Sequence, residues 1–186
     1  TIWGNGSKRY DIKFGYVSDS DRCETLHANL KKYLEEIKME IKEFKIVICG
    51  GGSTYTAGIV KNLLDEKRLG MKELWLYDID EERQNKVAYL VREVVKENRP
   101  EVTVKTTTDP KEAFTDADFI MAQMRVGGLP MRVQDEQISL KHGVIGQETC
   151  GAGGMAYGMR TIYPMVQLID YCEEYAKPTY WIVNYS

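Results

Sequence analysis

Nowhere in the 186 residues does an apolar run approach the roughly 20 residues that cross a bilayer, and the N-terminal part lacks the apolar core of a secretion signal. These absences argue against membrane insertion and place the expected location in the cytoplasm. Basic residues are not in excess: 25 Lys and Arg face 28 Asp and Glu, a formal net charge of −3. A nucleic-acid partner needs a basic face or stripe, so small metabolites are the expected ligands instead. Cysteine is sparse. Cys23, Cys49, Cys150 and Cys172 are scattered without a Cys-x-x-Cys pair, which suggests neither a zinc knuckle nor a disulfide framework and suits reduced thiols. Histidine is scarcer still, with His27 and His142 alone.

What is present is a change of hydrophobic period near residue 44. Thr1 to Ser20 carries glycines and no sustained pattern, and reads as loop or tail. From Glu24 to Phe44, apolar residues Leu26, Leu30, Tyr33, Leu34, Ile37, Ile41 and Phe44 recur every three or four positions among charges, predicting an amphipathic helix that covers an apolar patch. Residues 1–44 are therefore expected to be an N-terminal extension, and 45–186 a domain of its own.

Within 45–186 the periods alternate. Ile46–Cys49 is a continuous apolar strand, the pattern of a sheet covered by helices on both faces. A helix over Ala57–Leu69 stops at Gly70, a strand spans Glu73–Tyr77, and a long helix over Glu81–Glu97 is ended by Pro100. Strands follow at Val102–Thr106 and Asp118–Met124. A polar helix carries Asp135 and Glu136, and a further helix, its face traced by Met155, Met159, Ile162, Val166 and Ile169, leads to a strand at Tyr180–Asn184. Methionines at that spacing are expected to fill core gaps. This order predicts an α/β fold, a Rossmann-like doubly wound parallel sheet.

Gly50-Gly51-Gly52-Ser53-Thr54 follows the first strand and opens the first helix. Glycines allow a sharp turn and close backbone approach to a diphosphate, and the helix start behind them offers unpaired N–H groups and the positive end of its dipole. Ser53 or Thr54 is expected to cap that helix. Tyr55 stands where the third glycine of the fingerprint would be. The second strand ends in Tyr77-Asp78-Ile79-Asp80, where an acidic side chain accepts hydrogen bonds from ribose hydroxyls; Asp78 is the candidate, and its charge favours NAD over NADP. The competing role for Asp78 is capping the helix of Glu81 and Glu82.

Beyond the fourth strand lie Gln123-Met124-Arg125-Val126-Gly127-Gly128 and Met131-Arg132, then Gly146-Gln147-Glu148-Thr149-Cys150-Gly151 and Ala156-Tyr157-Gly158-Met159-Arg160. With the Gly-Gly-Gly-Ser-Thr-Tyr-Thr loop and the final Val-Asn-Tyr-Ser, these segments resemble glycoside hydrolase family four. The Thr149-Cys150 pair and the Tyr157 to Arg160 segment look like its 6-phospho-α-glucosidase branch.

The resemblance implies an NAD-dependent hydrolysis of phosphorylated disaccharides such as maltose 6-phosphate, by oxidation at the sugar C3, elimination, addition of water and reduction, with a divalent metal, commonly manganese. It implies that Arg132 contacts substrate and that Glu148 raises the basicity of a catalytic tyrosine. Local alternatives are an Arg132–Glu136 pair at helical spacing and a helix cap at Glu148. Cys150 is not the family's metal cysteine and is expected to be a small buried thiol. The family's metal ligands, acid Asp, base Tyr and phosphate-gripping region would all follow Ser186, so this stretch is expected to be inactive by itself; a homo-oligomer is expected of the complete enzyme. Two other readings stay open: a 2-hydroxy-acid dehydrogenase-like NAD domain, though neither His sits in a His-Asp motif, and a non-catalytic nucleotide-binding remnant.

Overall fold

A computed structural model describes residues 43–66 and 69–184 of the chain. Five strands, β1 (Phe44–Cys49), β2 (Met71–Tyr77), β3 (Thr103–Thr107), β4 (Phe119–Ala122) and β5 (Trp181–Asn184), form one sheet in the order β3-β2-β1-β4-β5, every neighbouring pair parallel. The helices are α1 (Thr56–Asp65), α2 (Glu81–Asn98), α3 (Pro110–Phe114), α4 (Gly128–Lys141) and α5 (Gly151–Tyr175). The doubly wound α/β plan follows. Strand order reverses between β1 and β4, and that switch point is where open α/β sheets bind ligands.

Both faces of β1 are covered, which is why its sequence does not alternate. Phe44, Ile46 and Ile48 pack with Leu74 and Leu76 against Val60 and Leu64 of α1 and Val87, Ala88 and Val91 of α2. Val47 and Cys49 point the other way, packing with Ile120 and Ala122 against Phe114 of α3 and Leu168 and Cys172 of α5. Burial pushes both of these free thiols upward, Cys172 to about 12, so they are inert core groups.

Four departures from the sequence reading have physical causes. Phe44 opens β1 instead of closing a helix: it is buried, pairs with Met71 and meets Phe119 edge to face at 5.0 Å between ring centres. The rest of the expected amphipathic helix, with Cys23 and His27, lies outside the described residues. The first helix ends at Asp65 rather than Leu69, because Glu66 already leaves helical backbone.

Helix α3 is an addition to the elements expected from periodicity, and Asp109 before Pro110 is its start signal: Asp109 accepts from the Lys111 N–H at 2.9 Å, and proline suits a first helical turn. Finally, the face of α5 traced by the methionines is turned outward, with Met155 and Met159 67% and 64% exposed, while Gly153, Thr161, Leu168 and Cys172 face inward. This helix is apolar on more than one side, so periodicity alone did not select the inner one.

The glycine loop sits against the sheet so closely that a side chain at Gly51 has no room: a Cβ there would lie 2.7 Å from Leu76 Cβ and 3.0 Å from Leu76 Cα. Gly51→Ala is expected to lower stability by about 1–3 kcal/mol, the usual cost of overpacking, as a reduced denaturant midpoint at unchanged slope. A midpoint equal to that of the unsubstituted chain would contradict this packing.

Candidate functional site

The carboxyl ends of β1, β2 and β4 frame the glycine loop, and a hydrogen bond ties it to each neighbouring strand. Gly50 and Gly51 donate backbone bonds to the Tyr77 carbonyl at 2.9 and 3.0 Å. Gly52 N–H donates to Asp78 Oδ2 at 2.8 Å. From the β4 side, the buried Gln123 amide donates to the Gly50 carbonyl at 3.1 Å and to Thr56 Oγ1 at 2.6 Å. Gly50 takes φ +85°, a conformation that glycine adopts freely.

Asp78 is 4% exposed. Besides the Gly52 bond it accepts from the Asp80 N–H at 3.0 Å, and the exposed Arg83 guanidinium lies along its outer edge, 3.2 Å from Oδ2. It does not cap α2. That place belongs to Asp80, which accepts from the Arg83 N–H. Neither Ser53 nor Thr54 caps α1: the cap position falls to Tyr55, without a side-chain bond, and Ser53 Oγ instead accepts from the Tyr55 N–H at 3.3 Å. The first turn of α1 contains no acidic residue, which leaves its positive end uncompensated.

The opposite wall holds four alternating charges. Arg125, on the β4–α4 loop, donates to Glu148 Oε1, and Arg132 on α4 reaches Glu148 Oε2 at 2.9 Å and Glu136 Oε1 at 2.8 Å. The helical-spacing pair and the Glu148 contact at Arg132 thus coexist. Glu148 does not cap α5; Cys150 occupies that position and is exposed rather than buried, since the turn into α5 lies at the surface. The hydrogen bond from Arg125, followed by the positive charges of Arg125 and Arg132, holds the Glu148 carboxyl below the ordinary carboxylate value.

The two walls enclose a cavity of about 540 Å³, lined among others by Gly50, Gly52, Ser53, Thr54, Arg132 and Glu148. Gly51 lies beneath the loop and Asp78 behind Gly52. A shallower hollow of about 590 Å³ lies at the β3 edge among Trp75, Arg92, Lys105 and Lys111, away from the switch point. Among the described residues no group of three or more His, Cys, Asp and Glu is placed to hold a metal ion, and no helix is long and apolar enough to cross a membrane. Gln123, Arg125 and Tyr157 also line the cavity, and Arg160 lies beside it with Asp135 and Glu148; the one signal for these residues in the sequence is their place just past β4 and in the glycine-rich entry to α5.

Comparison with known proteins agrees with the fold. The family model described as family 4 glycosyl hydrolase matches residues 45–186. A 6-phospho-alpha-glucosidase 1 of Lacticaseibacillus paracasei is 54% identical over 149 residues, 80% of this chain and 34% of the relative. A maltose-6'-phosphate glucosidase of Bacillus subtilis is 52% identical, again over 80% of this chain and 33% of its own length. A solved 6-phospho-alpha-glucosidase from gut microorganisms, in complex with NAD and glucose-6-phosphate, is 78% identical with a TM-score of 0.75, covering 78% of this chain and 33% of that one. The chain spans about a third of the length of the curated relatives it matches.

The Glu148 links carry a pH signature. A carboxyl whose value is depressed by folding contributes stability above its ordinary pKa of 4.5, and that contribution is lost as pH falls through the lower folded value. The expected outcome is that Glu148→Gln is less stable than the unsubstituted chain near neutral pH and that the gap narrows as pH falls below 4.5 and through the lower folded value, read from denaturant midpoints. A gap independent of pH would contradict the arrangement.

Proposed function

Because the chain belongs to family 4 of the glycosyl hydrolases, we propose that it is the NAD-binding portion of an enzyme that hydrolyses 6-phospho-α-glucosides of the maltose 6-phosphate kind. The observation that carries this reading is the cradle at the switch point. A Cβ at Gly51 would collide with Leu76 and one at Gly52 would lie 2.9 Å from Asp78 Oδ2, so the loop packs directly on the strand ends, and its backbone lines the cavity ahead of an uncompensated helix start. Such a surface suits a diphosphate, which is stabilised by close backbone approach and the positive end of a helix more than by a charged side chain.

In this reading the backbone of Gly50 to Thr54 holds the diphosphate, and Asp78 receives the adenosine ribose once Arg83 swings from its outer edge. A carboxylate there disfavours a 2′-phosphate, so NAD is the nucleotide rather than NADP. When bound, NAD supplies the hydride acceptor and donor for the sugar. Arg132 meets the phosphorylated sugar, and Glu148 places negative charge beside the reacting region, where it favours proton removal by a neighbouring base. Among the described residues no ligand set for manganese is assembled. The same reading places the protein in the cytoplasm, gives it a phosphorylated disaccharide rather than a nucleic acid or membrane as partner, and makes the full-length enzyme a homo-oligomer.

Two outcomes are expected. Calorimetry on the chain should detect NAD binding, and Asp78→Ala should weaken it by about 1–3 kcal/mol through loss of a buried charged hydrogen bond; unchanged affinity would remove Asp78 from the site. A long assay of the 186-residue chain with NAD, manganese and a phosphorylated α-glucoside should give no sustained product, because general acid-base help alone is worth about 10²–10⁴-fold and its donors are not among the groups assembled here. Steady release proportional to protein and abolished by Glu148→Ala would overturn that expectation.

A further inference from the structure

The segment from Met124 to Gly127 carries Arg125 across the open end of the sheet without regular secondary structure, and each of its four carbonyls accepts a hydrogen bond outside any helix or strand ladder. Two are local: the Gly128 N–H donates to the Arg125 carbonyl at 3.1 Å, and the Met131 N–H to that of Gly127 at 3.4 Å. The other two, on either side of Arg125, are taken by α5. Tyr157 Oη donates to the Met124 carbonyl at 3.2 Å, and Arg160 Nη1 to the Val126 carbonyl at 3.4 Å.

Tyr157 and Arg160 are three residues apart and share one helix face. Arg160 is itself anchored, its other nitrogen lying 2.5 Å from Oδ1 of the buried Asp135 on α4. Its stem also runs past Gly127, where an added Cβ would come within 3.4 Å of Arg160 Cδ. The Arg125 guanidinium lies 5.8 Å from the Tyr157 ring centre, so the same tyrosine meets the carbonyl that precedes this arginine and the arginine's own side chain.

We infer that Tyr157 and Arg160 are positioning residues: from one face of α5 they staple the carbonyls flanking Arg125 and so fix the guanidinium that holds Glu148 at the cavity wall. This gives a role to the Tyr157 to Arg160 segment, which the function described above leaves unused. Its consequence for turnover rests on the proposed role of Glu148, but the staple itself does not. Loosening either bond lets Arg125 leave Glu148, whose remaining cationic neighbour is Arg132, already shared with Glu136.

The test follows the Glu148 side-chain carboxyl by carbon-13 NMR across acid pH in the unsubstituted chain, Tyr157→Phe, Arg160→Gln and Arg160→Lys, with thermal midpoints measured beside it. Tyr157→Phe and Arg160→Gln are expected to move the Glu148 midpoint upward by about 0.5–1 pH unit, part of the roughly 1–3 units that a close opposite charge produces. Arg160→Lys keeps a cation for Asp135 but not the fork that also reaches Val126, and should fall between. Lower thermal midpoints with Glu148 titrating as in the unsubstituted chain would overturn the inference, leaving these residues a purely structural role. If Arg160→Gln does not fold, Tyr157→Phe decides, since it removes one hydroxyl and keeps the ring. NAD binding by the unsubstituted chain, measured in parallel, tests the nucleotide reading separately.

Discussion

The hydrogen bond from the Gly52 N–H to the Asp78 carboxylate is the constraint on which the site depends. It joins the loop after β1 to the end of β2, and it is buried, so a lost partner there would leave a charged group or a backbone donor unsatisfied in a poorly solvated place. Parallel pairing brings the ends together: Cys49 lies opposite Tyr77 on one side and Ala122 on the other, which places Asp78 and Gln123 on the two flanks of the loop. The loop is thereby held in one shape before any ligand arrives. Preorganisation of this kind reduces the ordering cost of binding.

The other wall works by charge rather than by close backbone packing. Along the chain of ion pairs Arg125, Glu148, Arg132 and Glu136 alternate in sign, and each arginine reaches Glu148 from a different part of the chain. Partly exposed ion pairs of this sort add little to stability singly, and their value here is positional. They bring a segment after β4, a helix and the entry to α5 to one edge of the cavity. The half-buried Asp135–Arg160 pair stands behind them and ties α4 to α5.

Much of this was legible in the residues. The uninterrupted apolarity of Ile46 to Cys49 announced a sheet covered on both faces, and a glycine cluster directly after that strand located the open end of the fold. The capping of α2 by Asp80 and the burial of Asp78 were not legible, because two carboxylates two residues apart satisfy the same pattern and the choice between them is made by the distance to Gly52. The inward face of α5 was hidden for a related reason. Gly153 packs so closely on the Gln147 and Asp135 backbone that no side chain fits, and Thr161 is buried with its hydroxyl bonded back to the Tyr157 carbonyl, while the larger methionines stay outside. Arg125 and Tyr157 were invisible as partners since they are 32 positions apart and meet through a backbone carbonyl, which no side-chain pattern records.

The most direct measurement is the response of backbone amides to NAD in nitrogen-15 NMR of the chain. The account predicts saturable shifts of Gly50 to Tyr55 and of Asp78, with Trp75, Lys105 and Lys111 around the hollow at the β3 edge left unmoved. Shifts centred on that edge hollow, or none at saturating NAD, would contradict it.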